Sequence, residues 1–296
     1  MKALRKENEI VVCGMPKEGI KSATNTESTV LDEANSGRQV SRRVRKFSVS
    51  TRNKRKRRKT LRISLVGPST VSLKKKLIVL DLNGLLVDIV SPPPKDRKAD
   101  ATVGSKALFK RPFYLDFLNF CFEKFEVAIW SSRTRKRIDY VINYLMGNMK
   151  QRLLFCWDLS YCTKTSFKSL ENKYKPLVFK DLRKIWEKYD SRLPWKNGYY
   201  NESNTLLLDD SPYKALLNPP CNSVFPHTFS FQNQSDNSLA AGGDLREYLD
   251  GLANAENIQK YVEQHPFGQS AIDERSQSWN FYSKVLDSLS TCQPEK

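Results

Sequence analysis

Three apolar runs in this chain end the same way. Leu77-Ile78-Val79-Leu80 leads into Asp81-Leu82, Val127-Ala128-Ile129-Trp130 into Ser131-Ser132, and Leu206-Leu207-Leu208 into Asp209-Asp210. A short run without polar alternation is what a strand needs when both of its faces are covered, as in a parallel sheet between helical layers. Helical patterns separate the runs. Pro112 suits a first helical position, and Phe113 to Phe125 carries apolar residues at helical spacing, with Phe113, Phe117 and Phe120 as a packing stripe. Thr134 can cap a helix to about Met146, with Gly147 just beyond, and Pro212 opens a short helix. Leu153 to Trp157 reads as a further strand and Val178 to Tyr189 as a helix. Leu245 to about Leu289 reads as helices that cover the body. Ser91 to Lys110, with Pro92-Pro93-Pro94, reads as a loop or short hairpin flap; Pro194–Asn204 and Gln232–Asp244 read as polar loops.

Strands alternating with helices specify an α/β fold built on a parallel sheet flanked by helices. Such sheets bind ligands beyond the carboxyl ends of their strands. One strand-ending Asp is ordinary turn chemistry. Asp81, Ser131 and Asp209 in one alternating chain point to a site, with Lys180 as a fourth member.

Composition narrows the chemistry. The chain has 296 residues, ample for one large domain or two small ones. Only His227 and His265 are present, which nearly excludes chemistry that needs several imidazoles, and both read as structural or exposed. The six Cys include no CxxC pair, so neither a zinc ribbon nor a disulfide scaffold is indicated and a reducing compartment is expected; Cys156 and Cys162 read as buried thiols. No stretch approaches the ~20 apolar residues of a membrane span. Glu7 and Glu9 interrupt the start, so a secretory signal is not read there, and six acids in the first 33 residues disfavour a mitochondrial presequence.

The positive charge is concentrated at the front. Residues 1–76 hold 21 Lys and Arg against 6 acids, whereas the remaining 220 hold 29 against 26. Arg38 to Arg62 contains 13 basic residues and no acid, densest at Lys54-Arg55-Lys56-Arg57-Arg58-Lys59. Like charges at this density repel, and flanking Ser, Thr and Asn offer no core, so a disordered leader over 1–72 is expected. The run reads first as a nuclear import signal recognised by an import receptor. Non-specific nucleic-acid contact is a second use, and a solubilising tail is the bland alternative. No aromatics interleave within Arg52–Arg62, so base stacking is not suggested.

The ordered set of motifs resembles the haloacid dehalogenase superfamily, and within it the FCP-homology, CTD-phosphatase-like branch. The residues carrying the resemblance are Asp81-Leu82-Asn83-Gly84, Arg111-Pro112, Ile129-Trp130-Ser131-Ser132, Val178-Phe179-Lys180-Asp181-Leu182 and Leu206-Leu207-Leu208-Asp209-Asp210-Ser211-Pro212. The resemblance covers roughly 73–235. The chain is similar to plant proteins of this branch with the same opening, a basic leader and a tail like the helical extension expected over 236–296. It implies a Rossmann-like sheet with a small flap and a phosphoric monoester hydrolase acting on phosphoserine or phosphothreonine in a nuclear protein. Asp81 would be the nucleophile that carries the aspartyl-phosphate. Mg²⁺ would be held by Asp81, the backbone carbonyl of Asn83, and Asp209. Ser131 and Lys180 would contact phosphoryl oxygens, and Asp210 would orient Asp209 or a metal-bound water.

One position departs from the pattern. The branch has a second Asp two residues after the nucleophile, serving as general acid and then general base; here it is Asn83. A carboxamide can neither protonate a leaving alkoxide nor deprotonate the attacking water, and acid–base catalysis typically contributes ~10²–10⁴-fold. The next motif position, usually Thr, is Leu85. Asp88 is near in sequence, with no sign that it faces the site. Three functions follow: a weakened Mg²⁺-dependent phosphatase, a pseudophosphatase that binds phosphorylated or acidic nuclear partners, or a translocase-receptor-like scaffold at the mitochondrion. The missing span and the acidic early leader argue against the last.

Overall fold

A computed structural model of the chain describes residues 75–290. The expected leader at 1–72, with Lys54–Lys59, and residues 291–296 of the expected extension lie outside the described residues. In chain order the strands are β1 (Leu77–Leu80), β2 (Val87–Val90), β3 (Ala101–Val103), β4 (Lys106–Lys110), β5 (Glu126–Trp130), β6 (Cys156–Trp157), β7 (Thr163–Lys168), β8 (Pro176–Phe179), β9 (Thr205–Leu208) and β10 (Ser223–Val224). The helices are α1 (Tyr114–Lys124), α2 (Arg135–Met146), α3 (Arg183–Trp186), α4 (Asp244–Asn254), α5 (Ile258–Gln264) and α6 (Trp279–Ser290).

Strands β10, β9, β1, β5 and β6 form one sheet in that order, with every neighbouring pair parallel. β1 is central, and all four of its side chains are fully buried. Full burial of such side chains is worth roughly 1.5–3 kcal/mol each. The alternation of side chains explains why these runs are apolar throughout. Ile78, Leu80, Val127, Ile129, Leu206 and Leu208 face a core closed by α1, α2 and α4 through Phe117, Ile138, Val141, Leu245 and Leu249. Leu77, Val79, Ala128, Trp130 and Leu207 face a second core closed by Leu182, Ile185, Trp186 and Trp195. The fold is α/β, with a parallel sheet flanked by helices.

Register sets the functional edge. Leu80 lies opposite Ile129 on one side and Leu208 on the other, so the ends of β1, β5 and β9 are level. After β1 the chain forms a flap: β2, β4 and β3 make a three-stranded antiparallel sheet, one strand larger than a simple hairpin because Val87–Val90 joins it. The polar loop Gln232–Asp244 is tied to the residue that follows β4. Arg111 makes two 2.9 Å hydrogen bonds to Asp236, and Arg111 and Asp236 side chains are 4% and 9% exposed. In α6, Tyr282 and Val285 pack with Leu177, Phe179 and Tyr213.

Three local expectations are corrected. Val178 to Tyr189 is not one helix: Pro176–Phe179 is a strand paired antiparallel with β7, and only Arg183–Trp186 is helical. The apolar spacing fits a helix, but β7 supplies a partner that local pattern cannot reveal. Leu153–Trp157 contributes strand only at Cys156–Trp157. Phe113 is not core: it is 52% exposed and precedes α1 at φ 62°, while Phe117 and Phe120 are buried. The helix cap at Thr134 forms without a side-chain hydrogen bond, and Gly147 ends the helix at φ 50°.

Candidate active site

The expected residues Asp81, Ser131, Asp209 and Asp210 sit at or just past strand ends on this edge, and Lys180 comes in from the separate β7–β8 pair. Asp81 follows β1, Ser131 follows β5, Lys180 follows β8, and Asp209 and Asp210 follow β9. The turn after β1 allows a close approach. Gly84 has φ 84°, and a Cβ there would lie 1.9 Å from Asp210 Oδ2, so only glycine lets the Asp210 carboxyl rest against the loop. The described carboxylates of Asp81, Asp209 and Asp210 each place an oxygen within 4.8 Å of the others.

A lysine that the sequence reading did not single out completes the group. Lys214 lies in the 3-10 turn Pro212–Ala215 and points back over the strand ends. Its Nζ donates to Asp81 Oδ2 at 2.9 Å and to Asp209 Oδ1 at 2.7 Å, and lies 3.8 Å from Asp210 Oδ1. Lys180 Nζ lies 3.0 Å from Asp81 Oδ1 and donates to Asp209 Oδ2. The four side chains therefore close a ring of alternating charge, Asp81–Lys180–Asp209–Lys214, in which each carboxylate bridges both ammonium groups. The backbone locks the ring further, because Lys180 N donates to the Lys214 carbonyl at 2.7 Å. All four residues are at most 3% exposed.

Burial of isolated charges is costly, and here mutual pairing offsets it. Burial alone acts to raise the Asp81 carboxyl, but the ammonium groups of Lys180 and Lys214 outweigh it and hold Asp81 well below the usual carboxylate range. Burial acts to lower Lys214, and the carboxylates of Asp209, Asp81 and Asp210 override it and hold the ammonium well above its ordinary value. Asp210 goes the other way: burial, reinforced by the charges of Asp209 and Asp81 against that of Lys214, pushes it up to about 6. Its Oδ1 accepts from Ser211 Oγ at 3.1 Å and its Oδ2 from Thr228 Oγ1 at 3.0 Å.

A cavity of 490 Å³ opens over the ring and is lined by Asp81, Asn83, Ser131, Asp210 and Lys214. Lys180 and Asp209 do not line it and are fully buried. The rim of the cavity is cationic, with Lys106, Arg133, Arg137 and Lys175. A larger cavity of 680 Å³ lies between the 212–225 segment and residues 271–279 and includes none of these groups.

Asn83 is held from two sides. Its Oδ1 accepts from Ile89 N at 2.9 Å and from Arg133 Nη2 at 3.0 Å. Arg133 N in turn lies 3.4 Å from Ser131 Oγ. Asp88, the nearest carboxylate in sequence, accepts from Phe231 N at 3.0 Å, and burial raises it. Arg133 and Lys214 were both within reach of sequence reasoning: one lies two residues after Ser131, and the other five after Asp209 in a turn opened by Pro212.

Such a site can take up a phosphoryl group among cations and present it to a buried, ionised carboxylate. Its oxygens also match the donor set that a hard divalent cation prefers, although Lys214 Nζ now stands among them. Residues 76–259 match the model of a family described as NLI interacting factor-like phosphatase. An uncharacterised FCP1 homology domain-containing protein of Schizosaccharomyces pombe is 26% identical over 222 residues, covering 73% of this chain and 85% of that protein. Ubiquitin-like domain-containing CTD phosphatase 1 of Drosophila melanogaster is 28% identical over 203 residues, covering 65% of this chain and 55% of the fly protein. The chain thus spans only about half the length of that phosphatase. The solved structure of Fcp1, an essential RNA polymerase II CTD phosphatase, overlaps with a TM-score of 0.36 at 15% identity, covering 74% of this chain and 62% of that one.

Proposed function

The chain belongs to the NLI interacting factor-like phosphatase family, and on that premise we propose that it is a protein phosphatase of the haloacid dehalogenase type, acting through an aspartyl-phosphate on Asp81 and weakened by Asn83. The observation that carries this reading is the ionised Asp81, held by two ammonium groups at the floor of a cavity with a cationic rim.

In the proposed first step a carboxylate oxygen of Asp81 attacks phosphorus, the Asp81 O–P bond forms, and the ester O–P bond breaks. Ser131 Oγ donates to a phosphoryl oxygen, and Arg133 and Lys175 attract the dianion from the rim. The leaving alkoxide needs a proton, which the Asn83 amide cannot supply. In the second step a water oxygen bonds to phosphorus as the Asp81 O–P bond breaks, releasing phosphate and the Asp81 carboxylate; the water's proton passes to bulk water, because Asn83 cannot take it. Mg²⁺, held by Asp81, Asp209 and the backbone carbonyl of Asn83, with Asp210 orienting Asp209 or a metal-bound water, would supply charge neutralisation between nucleophile and phosphate. The proposed substrate is a phosphoserine- or phosphothreonine-containing nuclear protein, consistent with relatives named as CTD phosphatases.

Leaving-group dependence tests this. Residual turnover should favour aryl over alkyl phosphates, because a phenolate departs with little protonation. Mass spectrometry after incubation with an aryl phosphate and Mg²⁺ should find a phosphorylated Asp81. Absence of that adduct in a protein that still turns over would refute the covalent route. The second reading is a pseudophosphatase that binds phosphorylated or acidic partners, favoured by Asn83 itself; phosphopeptide binding without adduct or turnover would select it. The scaffold reading predicts neither. For the location, replacing Lys54–Lys59 with Ala in a fluorescent fusion should abolish nuclear accumulation; unchanged accumulation would remove the import reading.

A further inference from the structure

We propose that Lys214 is a resident cation: its ammonium group fills the place between Asp81 and Asp209 that a divalent metal ion needs, so the pocket stands neutralised without metal and loads one only when Lys214 is expelled. The inference rests on the reading of Asp81 and Asp209 as the metal-holding carboxylates.

Geometry carries it. Lys214 Nζ bonds one oxygen of each carboxylate, at 2.9 and 2.7 Å, and lies 3.8 Å from Asp210. These are the three carboxylates whose oxygens converge within 4.8 Å. A metal ion bound to the same two oxygens would stand almost on top of the ammonium, with no water between them to screen the repulsion. The two cations are alternatives. Charge makes the lysine a credible tenant, because in the ring two ammonium groups balance Asp81 and Asp209 and leave only Asp210 over.

An exit exists. Lys180 is 0% exposed and lines no part of the 490 Å³ cavity, whereas Lys214 lines it and carries a flexible four-carbon stem. Rotation of that stem would carry its charge toward the cavity and free both carboxylate oxygens. In the meantime the resident ammonium keeps Asp81 ionised and the floor of the cavity neutralised, so the cationic rim of Lys106, Arg133, Arg137 and Lys175 can hold a phosphoryl group without metal.

The full chain, stripped with a chelator and titrated with Mn²⁺ by calorimetry and electron paramagnetic resonance, tests this. Lys214→Met should bind one Mn²⁺ roughly 10²-fold more tightly than wild type, the order expected for removing one unit charge from contact with the ion. The melting temperature of the wild type should be indifferent to chelator, while that of Lys214→Met should rise on adding Mn²⁺. Equal Mn²⁺ affinity in the two proteins, tight or absent, overturns the inference. Where Lys214→Met does not fold, the wild type answers alone. Its two ring ammonium groups should give slowly exchanging ¹⁵Nζ signals by NMR, and saturating Mg²⁺ should abolish that of Lys214 and spare that of Lys180. Persistence of both signals in the Mg²⁺-loaded protein overturns it. A gain of Mn²⁺ affinity with no adduct on Asp81 would overturn the phosphatase reading and leave the resident cation standing.

Discussion

Asn83→Asp places a carboxyl where the family's acid–base residue stands, and its surroundings set how much it can do. The amide oxygen of Asn83 accepts from Ile89 N at 2.9 Å and Arg133 Nη2 at 3.0 Å, and a carboxylate oxygen can take the same place without moving either donor. Full acid–base catalysis is worth ~10²–10⁴-fold. A guanidinium at hydrogen-bond distance favours the ionised form of a carboxyl and so holds it below the ordinary carboxylate range. The ionised form is a base, and the general-acid role is the one suppressed. The gain should therefore be unequal. Breakdown of phosphorylated Asp81, which needs a base, should accelerate by about 10²-fold or more. Cleavage of an alkyl phosphate, which needs an acid, should gain less. Adding Arg133→Met to Asn83→Asp should relieve the suppression and raise alkyl cleavage further. The assay is single-turnover quench-flow, with an aryl and an alkyl phosphate, following the adduct by intact mass. If the adduct forms in Asn83→Asp but persists as long as in wild type, position 83 does not reach the attacking water and the reasoning is wrong.

Asp81→Asn should abolish the adduct. It should also destabilise the fold by roughly 3–5 kcal/mol in urea unfolding, because Lys180 and Lys214 each lose half of their buried counter-charge; an unchanged midpoint would show that the ring contributes little. Asp236→Ala strands the guanidinium of Arg111, 4% exposed at its side chain, and should cost a similar ~3–5 kcal/mol. Adding Arg111→Ala to Asp236→Ala should recover part of that loss in a double-mutant cycle. Asp210 supplies a pH signature. Its folded-state carboxyl titrates at about 6, against roughly 3.9 in the unfolded chain. Between those values the folded state holds a proton that the unfolded chain has released. This contribution is therefore fully present below about pH 4 and is lost as pH rises through 6, a fall of about 3 kcal/mol. Melting curves in chelator should show this slope in wild type and lack it in Asp210→Asn.

Much of the frame is visible along the chain. The runs at 77–80, 127–130 and 205–208 are apolar at nearly every position because each strand is covered on both faces, and their polar endings mark the edge where a site forms. Where a strand depends on its partner, the pattern misleads. Thr163–Lys168 alternates between half-buried and exposed positions and carries almost no apolar signal, yet it turns Pro176–Phe179 into a strand and places Lys180 at its end. Phe113 keeps helical spacing with Phe117 but lies outside α1, where a positive φ turns it toward solvent.

The sequence by itself determined which carboxylates finish strands, because an apolar run closed by Asp is specified within about five consecutive residues. Which cations meet those carboxylates was decided only by the tertiary structure. Asp81 and Lys214 are 133 residues apart, and Asn83 and Arg133 are 50 apart. The physical reason is register. A lysine after β9 or an arginine after β5 is an ordinary solvated residue until parallel pairing brings the strand ends level, and only then does burial make an ammonium the counter-charge of two aspartates.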